Sequence, residues 1–122
     1  MKTLSSLKVL VVEDEALVSM LVEDMLTDLG CTIVGPAAEI EEALRLAGSA
    51  DIDAALLDVN LGGRPIFPVA DALKTRGVPF AFASGYGEAG LTEDHRGSTV
   101  LQKPFREADL RRVLEGLVAQ IA

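Results

Sequence analysis

Leu7-Lys8-Val9-Leu10-Val11-Val12-Glu13-Asp14 is the stretch on which the fold turns: a short apolar run that stops abruptly at two acids. Three later runs end the same way. Ala54-Ala55-Leu56-Leu57 closes at Asp58, Thr99-Val100-Leu101-Gln102 closes at Lys103, and Pro79-Phe80-Ala81-Phe82-Ala83 ends at the hydroxyl of Ser84. In an open parallel α/β sheet, ligands sit outside the carboxyl ends of the strands, where the strand order reverses. Polar groups at four such ends can share one crevice, although Glu13 and Lys103 are 90 residues apart.

Between the apolar runs lie helical patterns, which favours βα units and a parallel sheet. Val18, Leu21, Val22, Met25 and Leu29 recur at helical spacing, and Gly30 is placed to end that helix. A second strand is expected from Cys31 to Val34, stopping at Gly35-Pro36. Ile40, Ala43, Leu44 and Ala47 mark a short second helix ending near Gly48. After the third strand, Gly62-Gly63-Arg64-Pro65 reads as a loop, and Ile66, Ala70 and Leu73 line a third helix up to Gly77. The fourth strand is expected from Val78 to Ala83. Gly85-Tyr86-Gly87-Glu88-Ala89-Gly90 then carries three glycines, each costing a helix about 1 kcal/mol relative to alanine. A loop with at most a short helix is expected there before Gly97. The last helix carries Leu110, Val113, Leu114, Leu117 and Ile121. Five βα units with a degraded fourth helix make a single domain spanning 1–122.

Size and composition agree. A chain of 122 residues buries roughly two-thirds of its unfolded surface. Hydrophobic residues make up 49% and mean hydropathy is +0.32, which excludes disorder. The net charge of -8 argues against nucleic acid, whose phosphates demand a basic footprint. Cys31 is the only cysteine, so there is no disulfide framework, and it is expected to be a small buried hydrophobe. No apolar stretch approaches the roughly 18 residues of a membrane span. The first apolar run carries Lys8, stops at Glu13-Asp14 and has no small-residue cleavage site, so it is not expected to be a signal peptide. A cytoplasmic location is the expectation. His95, the only histidine, lies among Glu93, Asp94 and Arg96 and is expected to be solvated and without a role. Arg106, Arg111 and Arg112 are expected to decorate the exposed side of the last helix.

Clustered carboxylates raise one another's pKa unless a cation neutralises them. An oxygen-only ligand set favours a hard divalent ion, and a few carboxylates with waters commonly hold Mg²⁺. Mg²⁺ binds phosphoryl oxygens, Lys103 adds a positive charge, and Ser84 can donate a hydrogen bond. Asp58, on the central strand, is then the natural nucleophile, forming an aspartyl phosphate. Each residue alone has a plainer reading. Glu13-Asp14 suits a helix start, Asp58 an Asx turn, and Lys103 a solvated surface. The combination is what points to a site.

Glu13-Asp14, Leu57-Asp58-Val59-Asn60, Ser84-Gly85 and Lys103-Pro104-Phe105, in that order, resemble the receiver domain of two-component response regulators over essentially the whole chain. The resemblance implies a flavodoxin-like (βα)5 doubly wound fold, with a five-stranded parallel sheet in the order 2-1-3-4-5. It implies that Asp58 accepts a phosphoryl group from a histidine kinase or histidine phosphotransfer protein. Asp14 and Asp58 would bind Mg²⁺ directly, Glu13 through water and Asn60 through its backbone carbonyl. Lys103 and Ser84 would contact the phosphoryl group, Gly85 would leave it room, and the Lys103-Pro104 bond would be cis. Pro79-Phe80-Ala81-Phe82-Ala83-Ser84-Gly85-Tyr86-Gly87 is similar to the signature of FATGUY receivers, largely stand-alone proteins of bacterial phosphorelays that often serve stress responses. A monomer with a protein partner downstream is expected, acting as adaptor, shuttle or phosphate sink. Beyond self-phosphorylation from a donor and self-dephosphorylation, no enzymatic activity is implied.

Two departures matter, and one is the degraded fourth helix, part of the usual output face of receivers. Where typical receivers carry an aromatic switch residue three positions before the lysine, this chain has Val100. The Gly85–Gly97 loop, with Tyr86, is expected to carry the rearrangement instead. Three other readings compete. A Mg²⁺-dependent phosphatase or phosphotransferase with an aspartate nucleophile commonly has a second aspartate where Asn60 stands. A flavodoxin-like cofactor binder needs a phosphate loop where Glu13-Asp14-Glu15 would repel one. A receiver fragment of a hybrid histidine kinase is the third.

Overall fold

The structure is a computed structural model and describes residues 3–85, 91–95 and 97–121. Its elements run β1 (Lys8–Val12), α1 (Ala16–Asp28), β2 (Thr32–Ala37), α2 (Ile40–Ser49), β3 (Ala54–Asp58), α3 (Phe67–Thr75), β4 (Phe80–Ser84), β5 (Thr99–Gln102) and α4 (Glu107–Val118). The five strands form one parallel sheet in the order 2-1-3-4-5. A short antiparallel bridge, Asn60–Leu61 with Arg64–Pro65, stands where the sequence suggests a plain loop.

The apolar runs form strands because both faces of the sheet are covered. Successive side chains point to opposite faces, and the buried residues divide accordingly. Leu10, Val12, Ala55, Leu57 and Phe82 pack with Ile40, Ala43, Ala47, Val69 and Leu73 of α2 and α3. Val9, Val11, Ala54, Leu56, Ala81 and Ala83 pack with Val22, Leu26, Leu110, Leu114 and Leu117 of α1 and α4. With helices on both faces, neither set can be polar, so the strands read as continuous apolar runs. Each fully buried Leu or Phe contributes roughly 1.5–3 kcal/mol.

β2 departs from expectation. It runs through Gly35-Pro36 to Ala37 and pairs Ala37 with Val12 after an irregularity in register. Gly35 permits this at φ +94°, where an added Cβ would lie 2.8 Å from the Ala37 nitrogen. The Gly35-Pro36 peptide is cis. The consequence for the site is direct: the Glu13 N–H donates to the Ala37 carbonyl at 2.9 Å, fixing the backbone just past β1.

α1 also differs in its buried stripe. Val22 and Leu26 are buried, whereas Leu21 is 59% exposed, along with Met20 at 58% and Leu17 at 77%. A single helix on a sheet buries a narrow stripe, and the expected stripe needs correction: it takes in Leu21 and leaves out Leu26, the residue that is buried. β4 is displaced from the expected Val78–Ala83 and takes in Ser84, which pairs with Gln102. Between β4 and β5, the regular structure among the described residues is a single 3₁₀ turn, Glu93–His95, in place of a full helix. No helix among the described residues is long and apolar enough to cross a membrane.

Candidate functional site

β1, β3 and β5 deliver the charged residues to one corner at the carboxyl end of the sheet. β3 is central, paired with β1 through Val12 and Leu57 and with β4 through Asp58 and Ala83. Glu13 follows β1 directly and is buried. Its Oε2 accepts the Glu15 N–H at 3.1 Å and its Oε1 accepts from Lys103 Nζ at 3.1 Å. The same ammonium donates to Asp58 Oδ1 at 3.2 Å. Asp14 turns outward, and its Oδ2 accepts the Gly62 N–H at 2.9 Å.

Oxygens of Glu13, Asp14 and Asp58 all lie within 4.8 Å of one another. One lysine cannot balance three carboxylates, and Asp58 shows the imbalance. Burial first, then the charge of Glu13, pushes its carboxyl up to about 6, against the opposing pull of Lys103. Burial also works against the Lys103 charge, but the hydrogen bond it donates to Glu13 and the charges of Asp58 and Glu13 outweigh it, so the ammonium is held above its ordinary value. Such a corner binds a proton or a cation. Three carboxylate donors, no nitrogen or sulfur, and an exposed mouth at Asp14 suit a hard divalent ion such as Mg²⁺.

The remaining expected residues surround this corner to different degrees. Ser84 is buried at the end of β4, one strand over from Asp58, and its carbonyl accepts the Lys103 N–H at 2.9 Å. That bond ties the lysine's backbone to the hydroxyl-bearing strand. Lys103-Pro104 is cis, as the resemblance implies. Gly85 is exposed, and a Cβ built on it would meet nothing within 4 Å. Asn60 is exposed and opens the short bridge two residues beyond Asp58. Tyr86 lies outside the described residues.

Sequence reasoning misjudged His95. It is buried, not solvated, with Nε2 2.9 Å from Asp71 Oδ1 and Nδ1 2.9 Å from Thr92 Oγ1. Its ring stacks on Phe67 at a centroid distance of 4.6 Å. The polar neighbours in sequence hid this, because its partners come from α3 and β4. The Thr92-to-His95 spacing across one turn was the only local signal.

Residues 9–115 match the family model of the response regulator receiver domain. The chain is 32% identical over 111 residues to the phyllosphere-induced regulator PhyR of Methylorubrum extorquens, an overlap of 88% of this chain and 42% of PhyR. It therefore spans less than half of that relative. The solution structure of SdrG from Sphingomonas melonis Fr1 superposes with a TM-score of 0.82 at 40% identity, covering 97% of this chain and 99% of SdrG. The receiver domain of the sensor histidine kinase PA1611 from Pseudomonas aeruginosa PAO1, with a magnesium ion coordinated in its active site cleft, superposes with a TM-score of 0.77 at 25% identity. That match covers 93% of this chain and 98% of PA1611's receiver domain.

Proposed function

We propose that this chain, which belongs to the response regulator receiver family, accepts a phosphoryl group on Asp58 and signals through a changed affinity for a protein partner. The observation that carries this reading is the reach of Lys103 Nζ to both Glu13 and Asp58, at 3.1 and 3.2 Å, from a strand on the far side of β4. A structural ion pair needs one carboxylate; this lysine is shared between two, with a third within 4.8 Å.

The chemistry follows from the arrangement. An Asp58 carboxylate oxygen attacks the phosphorus of a phosphohistidine, the P–N bond breaks, and the imidazole leaves with the electron pair. Lys103 is held charged and stands at Asp58 to meet the negative charge of the incoming group. Ser84, at the end of the adjacent strand, supplies a hydroxyl for a phosphoryl oxygen. Glu13, Asp14 and Asp58 would hold Mg²⁺, which supplies positive charge against the phosphoryl oxygens when bound. Glu13, fixed at both carboxylate oxygens by Glu15 and Lys103, acts as the rigid wall of that site.

A donor protein must present its phosphohistidine to this corner, and α1 offers the surface. Leu17, Met20 and Leu21 are exposed, and an apolar groove of about 370 Å³ runs from Val18 and Met25 to Lys103, Pro104 and Phe105. An apolar patch that ends at the reactive lysine fits a helical kinase or phosphotransfer domain. The whole protein's place as adaptor, shuttle or phosphate sink in a stress-linked phosphorelay is part of the same proposal.

Incubation with Mg²⁺ and a small acyl-phosphate donor tests the reading by intact mass. One added phosphoryl group is expected, absent in Asp58→Asn and absent without metal. A folded protein that gives the same adduct in Asp58→Asn would overturn the assignment.

A further inference from the structure

Two backbone segments leave Asp58 and Ser84, and one buried side chain touches both. Phe82 stands two residues before Ser84 on β4 and pairs in register with Leu57, the neighbour of Asp58. Phe67 opens α3, and the preceding Ile66 N–H donates to the carbonyl of Val59, the residue after Asp58, at 3.0 Å. The His95 ring lies against both. It is stacked on Phe67 and meets Phe82 edge-on, with centroids 5.9 Å apart. Phe67 and Phe82 also meet edge-on at 5.7 Å, so the three rings form one closed cluster.

The polar atoms of that ring are fully used. With Nε2–H donating to the Asp71 carboxylate, Nδ1 accepts from the Thr92 hydroxyl. Asp71 sits on α3 with its side chain largely exposed, so the bond crosses from a buried ring to the surface of another element. Val100 pairs with Phe82 in register and packs against the core that holds it, but brings no ring. The imidazole that meets Phe82 comes instead from His95, outside the sheet.

Resting on the receiver reading above, we propose that His95 is the moving ring of this protein's switch, a latch that transmits modification of Asp58 to the α3 surface at Asp71. Phosphorylation draws the Ser84 end of β4 toward Asp58 and shifts Phe82, and the ring stack no longer matches. His95 then leaves Phe67 and releases Asp71. The latch depends on a few stacked and hydrogen-bonded contacts, the kind of element a local change can open. Asp71 and the α3 turn around it become the surface that reads differently in the two states.

The test is the backbone amide spectrum with Mg²⁺, before and after beryllofluoride, in wild type, His95→Phe, Asp71→Ala and Asp71→Asn. In wild type, signals near the site (Val59, Gly62, Lys103) and those of Asp71–Thr75, Thr92 and His95 are expected to move together. His95→Phe keeps a ring but neither hydrogen bond, and Asp71→Ala removes only the acceptor at the surface. Both are expected to keep the site response and lose more than half of the Asp71–Thr75 response, while Asp71→Asn, which retains an acceptor oxygen, keeps it. Stationary latch signals beside a shifted site would overturn the proposal and spare the receiver reading. A full α3 response in Asp71→Ala would overturn it too. No response at the site itself would bring down both.

Discussion

The corner at Asp58 and the ring cluster at His95 lie on either side of the end of β4, and they are built on opposite terms. At the corner, three carboxylates crowd together, two of them sharing one ammonium, and Asp58 is held well above the usual carboxylate range. In the ring cluster, both imidazole nitrogens have partners and three rings close on one another. The first region stores repulsion that a ligand can relieve; the second is satisfied as it stands. Chemistry belongs where charge is unbalanced, and a switch element belongs where contacts are complete yet few. Ser84 and Phe82, two residues apart on one strand, join the two.

The largest expected effect separates them by stability. Phe82 is fully buried and contacts the rings of Phe67, Phe80 and His95. Phe82→Ala is expected to cost about 3–5 kcal/mol in urea unfolding. A loss below about 1 kcal/mol would mean the ring cluster does not support the fold.

A second prediction concerns the charged corner alone. A proton on Asp58 competes with Mg²⁺, so affinity for the ion is expected to weaken as pH falls through about 6, approaching about tenfold per unit below it. Calorimetric titration between pH 5 and 8, the span in which an acid of this strength changes charge, reads this directly. A flat profile would place the ion elsewhere.

The smallest effect is also the most diagnostic of stored repulsion. The folded-state pKa of Asp58 is raised above its ordinary 3.8, so the folded protein binds more protons than the unfolded chain between that value and about 6. Its carboxylate therefore opposes folding above pH 6, and that opposition fades as pH drops toward 4. Without metal at pH 7.5, Asp58→Asn is expected to be more stable by about 1 kcal/mol, allowing for solvent screening. The gain should disappear near pH 4. A destabilised variant at pH 7.5 would show that Lys103 already balances the corner.

The same contrast explains what the sequence could reveal. Strands with both faces covered leave unbroken apolar runs, and polar residues at their ends stand out, so Glu13, Asp14, Asp58, Ser84 and Lys103 were legible as a set, though none of them alone. Their convergence needed only the sheet order. Gly35-Pro36 misled because the pair looks like a strand end, whereas the glycine's positive φ lets β2 continue to Ala37 and fix Glu13. His95 was illegible for a different reason. Its burial comes from Phe67, Asp71 and Phe82, which are 13 to 28 residues away in sequence and on two other elements. Leu21 and Leu26 flank the expected stripe of α1 on opposite sides, and packing on the sheet buries Leu26 rather than the expected Leu21.

The most direct measurement of the central claim is chemical. After loading with an acyl-phosphate donor and Mg²⁺, borohydride reduces an aspartyl phosphate to homoserine, and peptide mass spectrometry then finds the altered residue. The account predicts homoserine at position 58 and nowhere else, formed only in the presence of the ion. Homoserine at Asp14 or another acid, with Asp58 unchanged, would contradict it.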